Sequence, residues 1–263
     1  MRVGFVQFSP ARYAVQANIE KIQALLDGMD FDLVVLPELA NSGYLHDDPA
    51  ALRGVSEKAD GSGPFLGALT KIAKEHRACL VTGFSEISGE RLCNSAAALS
   101  PTGILQVYRK THLFSTEKLL FAPGDTGLHV FSFREVCIGM LICFDWIFPE
   151  AARTLSLKGA QLLAHPANLV LPWCQGAMLT RSLENAVFTI TANRVGEESG
   201  QGQTLRFTGR SQVTDPTGMC LAQAGEEETT IKIVEINPRR ALNKQLGPGN
   251  DLFADRQPRF YQL

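Results

Sequence analysis

Short apolar runs alternate along the chain with longer stretches in which apolar positions recur every three or four residues, the rhythm of strands interleaved with amphipathic helices. Residues 1–8 alternate apolar with small or polar side chains and predict a first strand. The segment 15–28 then places Ile19, Ile22, Leu25 and Leu26 at helical spacing and ends on Gly28, a residue suited to a C-cap. A compact strand follows at 33–36, and a helix is predicted over 65–76 with Leu66, Leu69, Ile72 and Ala73 facing inward. Strands at 79–84, 92–99 and 104–108 come next, the last two flanking Ser100-Pro101-Thr102-Gly103, where Pro and Gly mark a hairpin turn. The second half repeats the pattern: strand 136–142, helix 149–158, strand 161–164, helix 175–184, strand 186–192, strands at 210–215 and 229–236, then an extended polar tail. With no repeat of solenoid period and no Pro-, Gly- or Ser-rich linker, this pattern predicts one layered α/β domain with helices covering sheet.

A weak internal echo sharpens the picture. Asp32-Leu-Val-Val-Leu-Pro-Glu38 resembles Gln161-Leu-Leu-Ala-His-Pro-Ala167, each a buried strand running into proline, as if two similar α/β halves faced each other. Ligand sites of α/β sheets gather beyond the carboxyl ends of strands. By position, those ends carry Glu38, Lys110, Cys143, Asn168 and Asn193.

Composition narrows the class. Of 263 residues, 45% are hydrophobic and 20% charged, enough apolar material for a sizeable interior and too much for a disordered or collagenous chain. The 25 Lys and Arg against 27 Asp and Glu give a net charge of -2 and no footprint for nucleic acid. Six scattered cysteines (79, 93, 137, 143, 174 and 220) form no C-x-x-C pair and read as free thiols of a reducing compartment. The N-terminus lacks the apolar core of a signal peptide and no run approaches a membrane span, so a cytoplasmic protein is expected.

Three strand ends carry the candidate chemistry. Cys143 closes the run Ile138-Gly139-Met140-Leu141-Ile142 where the chain turns toward a helix, a setting whose backbone N–H groups favour a thiolate and an oxyanion alike. Taken alone, a cysteine there is more often a small core hydrophobe. Glu38, after a buried strand and Pro37, has the setting of a general base of raised pKa, or equally of a loop or capping carboxylate. Lys110 could hold the negative charge that develops when a carbonyl or nitrile carbon is attacked, although a solvated strand-end lysine is the commoner thing.

Together the three resemble one family, the nitrilase superfamily of carbon-nitrogen hydrolases. The resemblance rests on P-E-L-x-x-x-G-Y around Glu38, R-K-x-H-L-F around Lys110 and C-F-D-x-x-F-P-E-x-x-R around Cys143, in that order, and runs nearly the length of the chain. It implies a four-layer αββα sandwich, with a hydrolase domain over 1–240 and a tail over 241–263 that packs at a dimer interface. The dimer, or a higher homo-oligomer, buries the helices that begin near Pro149 and Gln175. It also implies Cys143 as nucleophile, Glu38 as base, Lys110 as electrostatic support, Glu117 as a further carboxylate that orients them and aids proton transfer, and the Phe144 N–H completing an oxyanion site. The substrate is then a small amide or nitrile, with no cofactor, metal, nucleic acid or membrane involved. Nitrilases proper usually carry Cys-Trp-Glu and a longer C-terminal region; Cys143-Phe144-Asp145 and the early end favour an amidase, with nitrile or N-carbamoyl hydrolysis as alternatives.

By position, Tyr44, Phe114, Trp146, Asn168 and Trp173 are expected to line a small, partly aromatic pocket. Arg153 and Arg194 are expected in structural ion pairs with Glu150 or Glu184. His46-Asp47-Asp48 is a possible ligand cluster, but with no second cluster at ligand spacing it reads as an exposed polar loop. The segment 59–64, rich in Gly and Ser, lacks a P-loop's lysine and reads as a turn before a helix. A thiol-based sensor on the same fold would need only the cysteine, not its partners.

Overall fold

The computed structural model describes residues 1–261. The first half consists of β1 (Arg2–Gln7), α1 (Val15–Leu26), β2 (Leu33–Val35), α2 (Pro49–Val55), α3 (Pro64–His76), β3 (Cys79–Ser88), β4 (Arg91–Ser100), β5 (Gly103–Arg109) and a single helical turn, α4 (Glu117–Leu120). The second half continues with β6 (Val130–Phe133), β7 (Val136–Met140), α5 (Pro149–Leu157), β8 (Leu162–Pro166), α6 (Cys174–Asn185), β9 (Phe188–Ala192), β10 (Glu197–Gly200), β11 (Gln203–Arg206), β12 (Gln212–Thr214), β13 (Cys220–Gln223) and β14 (Thr230–Glu235).

Two six-stranded sheets result, ordered β14-β1-β2-β3-β4-β5 and β13-β12-β9-β8-β7-β6. At the centre of each lies a parallel triplet, β1-β2-β3 in one and β7-β8-β9 in the other, with antiparallel strands outside. The echo between 32–38 and 161–167 is thus the middle strand of each triplet, β2 and β8. Both strands are apolar on consecutive positions because both faces are covered. Leu33 and Val35 point into the core between the sheets with Ile138, Met140, Leu162 and Ala164. Val34 and Leu36 point the other way, against Ile19, Ile22, Leu66 and Leu69 of α1 and α3. Across the second sheet, Leu163 and Leu141 meet Ala151, Ala152 and Leu155 of α5. Helix, sheet, sheet, helix is the expected αββα sandwich.

Several elements had no sequence expectation. The polar hairpin β10–β11 has mostly exposed or half-buried residues, so no apolar alternation announces it. The helix predicted straight after the nucleophile is preceded by a 3-10 turn over Cys143–Ile147. Beyond β14 the chain is not simply extended: Gln245–Gly247 pairs with Asn250–Asp251, and Lys244 Nζ donates to the carbonyls of Asn185 and Ala186 at 2.9 and 3.0 Å, tying the tail to the end of α6.

The three residues 46–48 take separate jobs, and the exposed-loop reading fails for the first of them. His46 is buried, with Nε2 3.0 Å from the Gly43 carbonyl, whereas Asp47 pairs with Arg12 and Asp48 accepts from Ala50 N at the start of α2. The 59–64 segment is a turn as expected: Asp60 Oδ1 accepts from Ser62, and Pro64 opens α3. No helix among the described residues is long and apolar enough to cross a membrane.

Candidate active site

The ends of β2, β5 and β7 converge on one buried cluster. Beyond β2 the main chain at Glu38 lies so close to β3 that a Cβ on Gly83 would sit 2.4 Å from the Glu38 Cα, leaving glycine as the one residue that fits. Gly83 also donates to the Pro37 carbonyl at 3.1 Å and accepts from Ala40 N at 2.9 Å, fixing where the carboxylate emerges. Lys110 follows β5, held by its own N–H on the Asn94 carbonyl at 2.8 Å. Cys143 follows β7 with φ +42°, a left-handed conformation that non-glycine residues adopt at a cost and that recurs at functional sites.

Lys110 Nζ binds both carboxylates at once: 2.6 Å to Glu38 Oε1 and 2.8 Å to each oxygen of Glu117. Asn94 Nδ2 also donates to Glu38 Oε1, at 2.8 Å, leaving Glu38 Oε2 buried without a partner. Glu117 is further held by the Tyr44 hydroxyl at 2.8 Å and by Phe114 N at 3.2 Å. All of these side chains are almost wholly shielded from solvent except Phe114.

Burial dominates the electrostatics. It raises the Glu38 pKa against the pull of Lys110, and Glu117 adds to the rise. Burial also lifts the Cys143 thiol well above its ordinary value, helped by the Glu38 charge and opposed by Lys110 and by the Asn168 backbone N–H. For Lys110 burial works downward, but Glu117 and Glu38 outweigh it and the ammonium is held well above its ordinary range. The resting arrangement is therefore a fixed cation, a carboxylate of raised basicity and a neutral thiol.

Asp145 locks the nucleophile turn. Its Oδ2 accepts from Ile142 N and from the Tyr108 hydroxyl, both at 2.8 Å, and its Oδ1 lies 2.7 Å from His112 Nδ1. The His112 ring in turn stacks on Phe148, with centroids 3.7 Å apart. His165 Nε2 sits 2.9 Å from the Cys143 carbonyl; since a carbonyl only accepts, that nitrogen carries the proton and Nδ1 accepts from Thr191 Oγ1 at 3.1 Å. Burial pulls the His165 pKa down to about 4, keeping the ring neutral.

Over Cys143 opens a narrow cleft lined by Phe114, Phe144, Trp146, Asn168 and the 169–171 segment. Its space is about 20 Å³, little more than one water molecule occupies, so even a small amide enters only as the lining side chains move. A larger cleft of about 480 Å³ lies between Met1, Asp32, Arg134 and Pro238, but its lining residues include no cysteine, serine, threonine or lysine.

Four of the five residues expected by position at the pocket stand at the cluster. Phe114, Trp146 and Asn168 line the cleft, and Tyr44 reaches the site through Glu117. Trp173 does not join them. It occupies the position before α6, 61% exposed, because the chain has already turned outward there. Nor do the arginines pair as expected: buried Arg194 binds Glu198 at 2.7 Å, and Arg153 Nη2 donates to the Glu184 carbonyl at 2.6 Å rather than to a carboxylate. Glu198 also accepts from Tyr44 N and Leu45 N, so the Arg194 pair braces the loop that carries Tyr44. Asn94, His165 and Glu198 went unread in the sequence: Asn94 lies inside a strand and Glu198 on a polar hairpin, while His165 does end the apolar run 162–164 and could have been found by the same rule as Glu38.

A cysteine at a strained turn, a buried lysine shared by two carboxylates and an αββα sandwich define a hydrolase acting through a thiol, and the chain belongs to the carbon-nitrogen hydrolase family, the nitrilase superfamily, whose sequence pattern it matches over residues 2–242. It is similar to a nitrilase of Pyrococcus abyssi, 40% identical over 99% of both chains, and to an (R)-stereoselective amidase of a Pseudomonas species, 35% identical over 79% of this chain and 74% of that one. Among solved structures it resembles an amidase from Nesterenkonia sp. with a TM-score of 0.84 and 26% identity, covering 99% of this chain and 95% of that one. A variant of that amidase carries acrylamide added at its active-site cysteine.

Proposed function

We propose that the enzyme hydrolyses small aliphatic amides to carboxylate and ammonia through a thioester on Cys143. The observation that carries this reading is the single ammonium of Lys110 bonded to Glu38 and Glu117 together, with Glu38 Oε2 left free to take a proton. Glu38 removes the Cys143 proton as sulfur attacks the carbonyl carbon, and Lys110 with the Phe144 N–H stabilises the oxyanion. The proton passes to nitrogen, the C–N bond breaks and ammonia leaves. Glu38 then deprotonates a water that attacks the thioester, and the C–S bond breaks to give the acid and the free thiol. Glu117 keeps Lys110 oriented and assists the proton's passage to the departing nitrogen.

Ammonia release from a panel of small amides, nitriles and N-carbamoyl amino acids, run beside Cys143→Ala, tests this. Release from amides that the variant lacks supports the scheme; release that the variant matches sinks it. The 40% identity to a protein named nitrilase favours nitriles as the second reading, and ammonia from nitriles alone would establish it. We further read the enzyme as cytoplasmic, its scattered cysteines being free thiols, and as a homodimer joined through α5, α6 and the tail, because Ile147, Leu157, Leu183, Leu246 and Phe260 are apolar and 39% to 71% exposed. Light scattering that returned a monomer would remove that reading.

A further inference from the structure

Asn168 is spent on one side and open on the other. Its Nδ2 donates to the Glu38 carbonyl at 2.9 Å, and that contact fixes the orientation of the amide, since a carbonyl facing Oδ1 would set two acceptors against each other. Its backbone N–H pulls the Cys143 thiol weakly toward the thiolate, against burial. What remains is Oδ1, which has no hydrogen-bond partner on a residue 2% exposed that lines the Cys143 cleft. A buried acceptor without a partner is costly, and such groups in folded proteins ordinarily wait for a ligand or a water.

We propose that Asn168 Oδ1 is the specificity-determining acceptor for an N–H of the substrate, so that the site selects carboxamides and ureido groups over nitriles and esters. The proposal rests on the reading of Cys143 as nucleophile and deepens it by naming what surrounds the scissile bond. A primary amide or carbamoyl nitrogen brings hydrogens to satisfy Oδ1. A nitrile nitrogen brings only a lone pair, and an ester oxygen likewise, so each leaves Oδ1 unpaired or facing another acceptor. Sites built to bond a substrate N–H or O–H reject analogues that lack it far more strongly than apolar pockets reject a misfit in shape. Phe114, Phe144 and Trp146 on the other walls do not compensate for a missing N–H.

The test compares an amide, a methyl ester and a nitrile that share one acyl chain, propionamide, methyl propionate and propionitrile, on the wild type and on Asn168→Ala. All three can load Cys143, and the two with a carbonyl give the same thioester. For the wild type, kcat/KM for the amide should exceed that for the nitrile by at least about a hundredfold. In Asn168→Ala, kcat/KM for the amide should fall about tenfold or more beyond any loss with the ester, because the ester never used Oδ1. Equal losses on amide and ester would mean that Asn168 only positions Glu38, and the proposal would be overturned. A wild type that turned over nitrile as readily as amide would overturn it as well. Failure of the underlying reading has a different signature: no Cys143-dependent turnover of any of the three.

Discussion

Lys110 Nζ stands 2.6 Å from Glu38 Oε1 with neither side chain reaching solvent, and among the described residues the same ammonium is the only cation bonded to Glu117. Removing it leaves two carboxylates buried together. Lys110→Met should therefore lose activity by about a hundredfold to a thousandfold, the scale of a deleted oxyanion donor. It should also unfold about 3 to 5 kcal/mol more easily in denaturant titrations, as expected when one partner of a buried ion pair is deleted. A variant of unchanged stability would mean that the carboxylates find water or each other's proton without cost.

The acid limb of kcat/KM reports the base in the free enzyme. Burial, then Glu117, raise the Glu38 pKa above its ordinary 4.5 against the pull of Lys110. Activity should accordingly appear, as pH rises, at a midpoint above that value. Glu117→Gln removes one negative neighbour and leaves Lys110 to Glu38 alone, so the limb of the remaining activity should move to lower pH. An unmoved limb would assign it to some other group.

Tyr44 offers a narrower probe. Its hydroxyl donates to Glu117 Oε1 at 2.8 Å, while its ring packs edge-on against Phe207 at 5.9 Å. Tyr44→Phe keeps the ring and deletes one charge-assisted hydrogen bond, so kcat should fall about tenfold and the melting temperature by several degrees. A fall confined to KM would make Tyr44 a wall of the pocket rather than a support for Glu117.

How far the sequence reaches can be judged residue by residue. The meeting of Glu38, Lys110 and Cys143 was legible because each follows a strand end: β2 and β7 belong to the parallel triplets, whose ends converge, and β5, antiparallel to β4, which is itself antiparallel to β3, runs in the same direction as β2. The αββα layering followed from the same runs together with the resemblance. Trp173 was misread because distance along the chain from a strand end does not say which way the chain has turned by then. Arg194 lay beyond reach for a different reason: its partner Glu198 sits on a polar hairpin that no periodicity marks. Asp145 and His112 stood inside the motifs, yet that they bond each other across the gap between β5 and the nucleophile turn depends on packing alone.

His165 couples the site to pH through stability. In the folded protein burial holds its pKa at about 4, against 6.5 for an unperturbed ring, so between those values the unfolded chain binds a proton that the folded one refuses. The contribution of the neutral ring is complete above the higher value and is lost as pH falls through the window, worth at most about 3 kcal/mol. His165→Gln, which can still donate to the Cys143 carbonyl, should show a shallower loss of melting temperature between pH 6.5 and pH 4 than the wild type. Parallel curves would mean that the ring accepts its proton in place.

Strain at the nucleophile can be measured without any substrate. Cys143 holds φ +42°, where a Cβ crowds the following carbonyl, and the His165 contact on its own carbonyl helps to keep it there. Cys143→Ala keeps that crowding, whereas Cys143→Gly removes it. Both variants lose the sulfur and should be equally inactive, so activity cannot separate them. Stability can: the left-handed conformation costs a side chain of about 1 to 2 kcal/mol, and the extra freedom of glycine in the unfolded chain returns about 0.5 to 1 of it. Cys143→Gly should thus be more stable than Cys143→Ala by up to about 1.5 kcal/mol in denaturant titrations. If glycine were instead the less stable of the two, the turn would be relaxed, and the nucleophile's exposure to substrate would owe nothing to stored backbone energy.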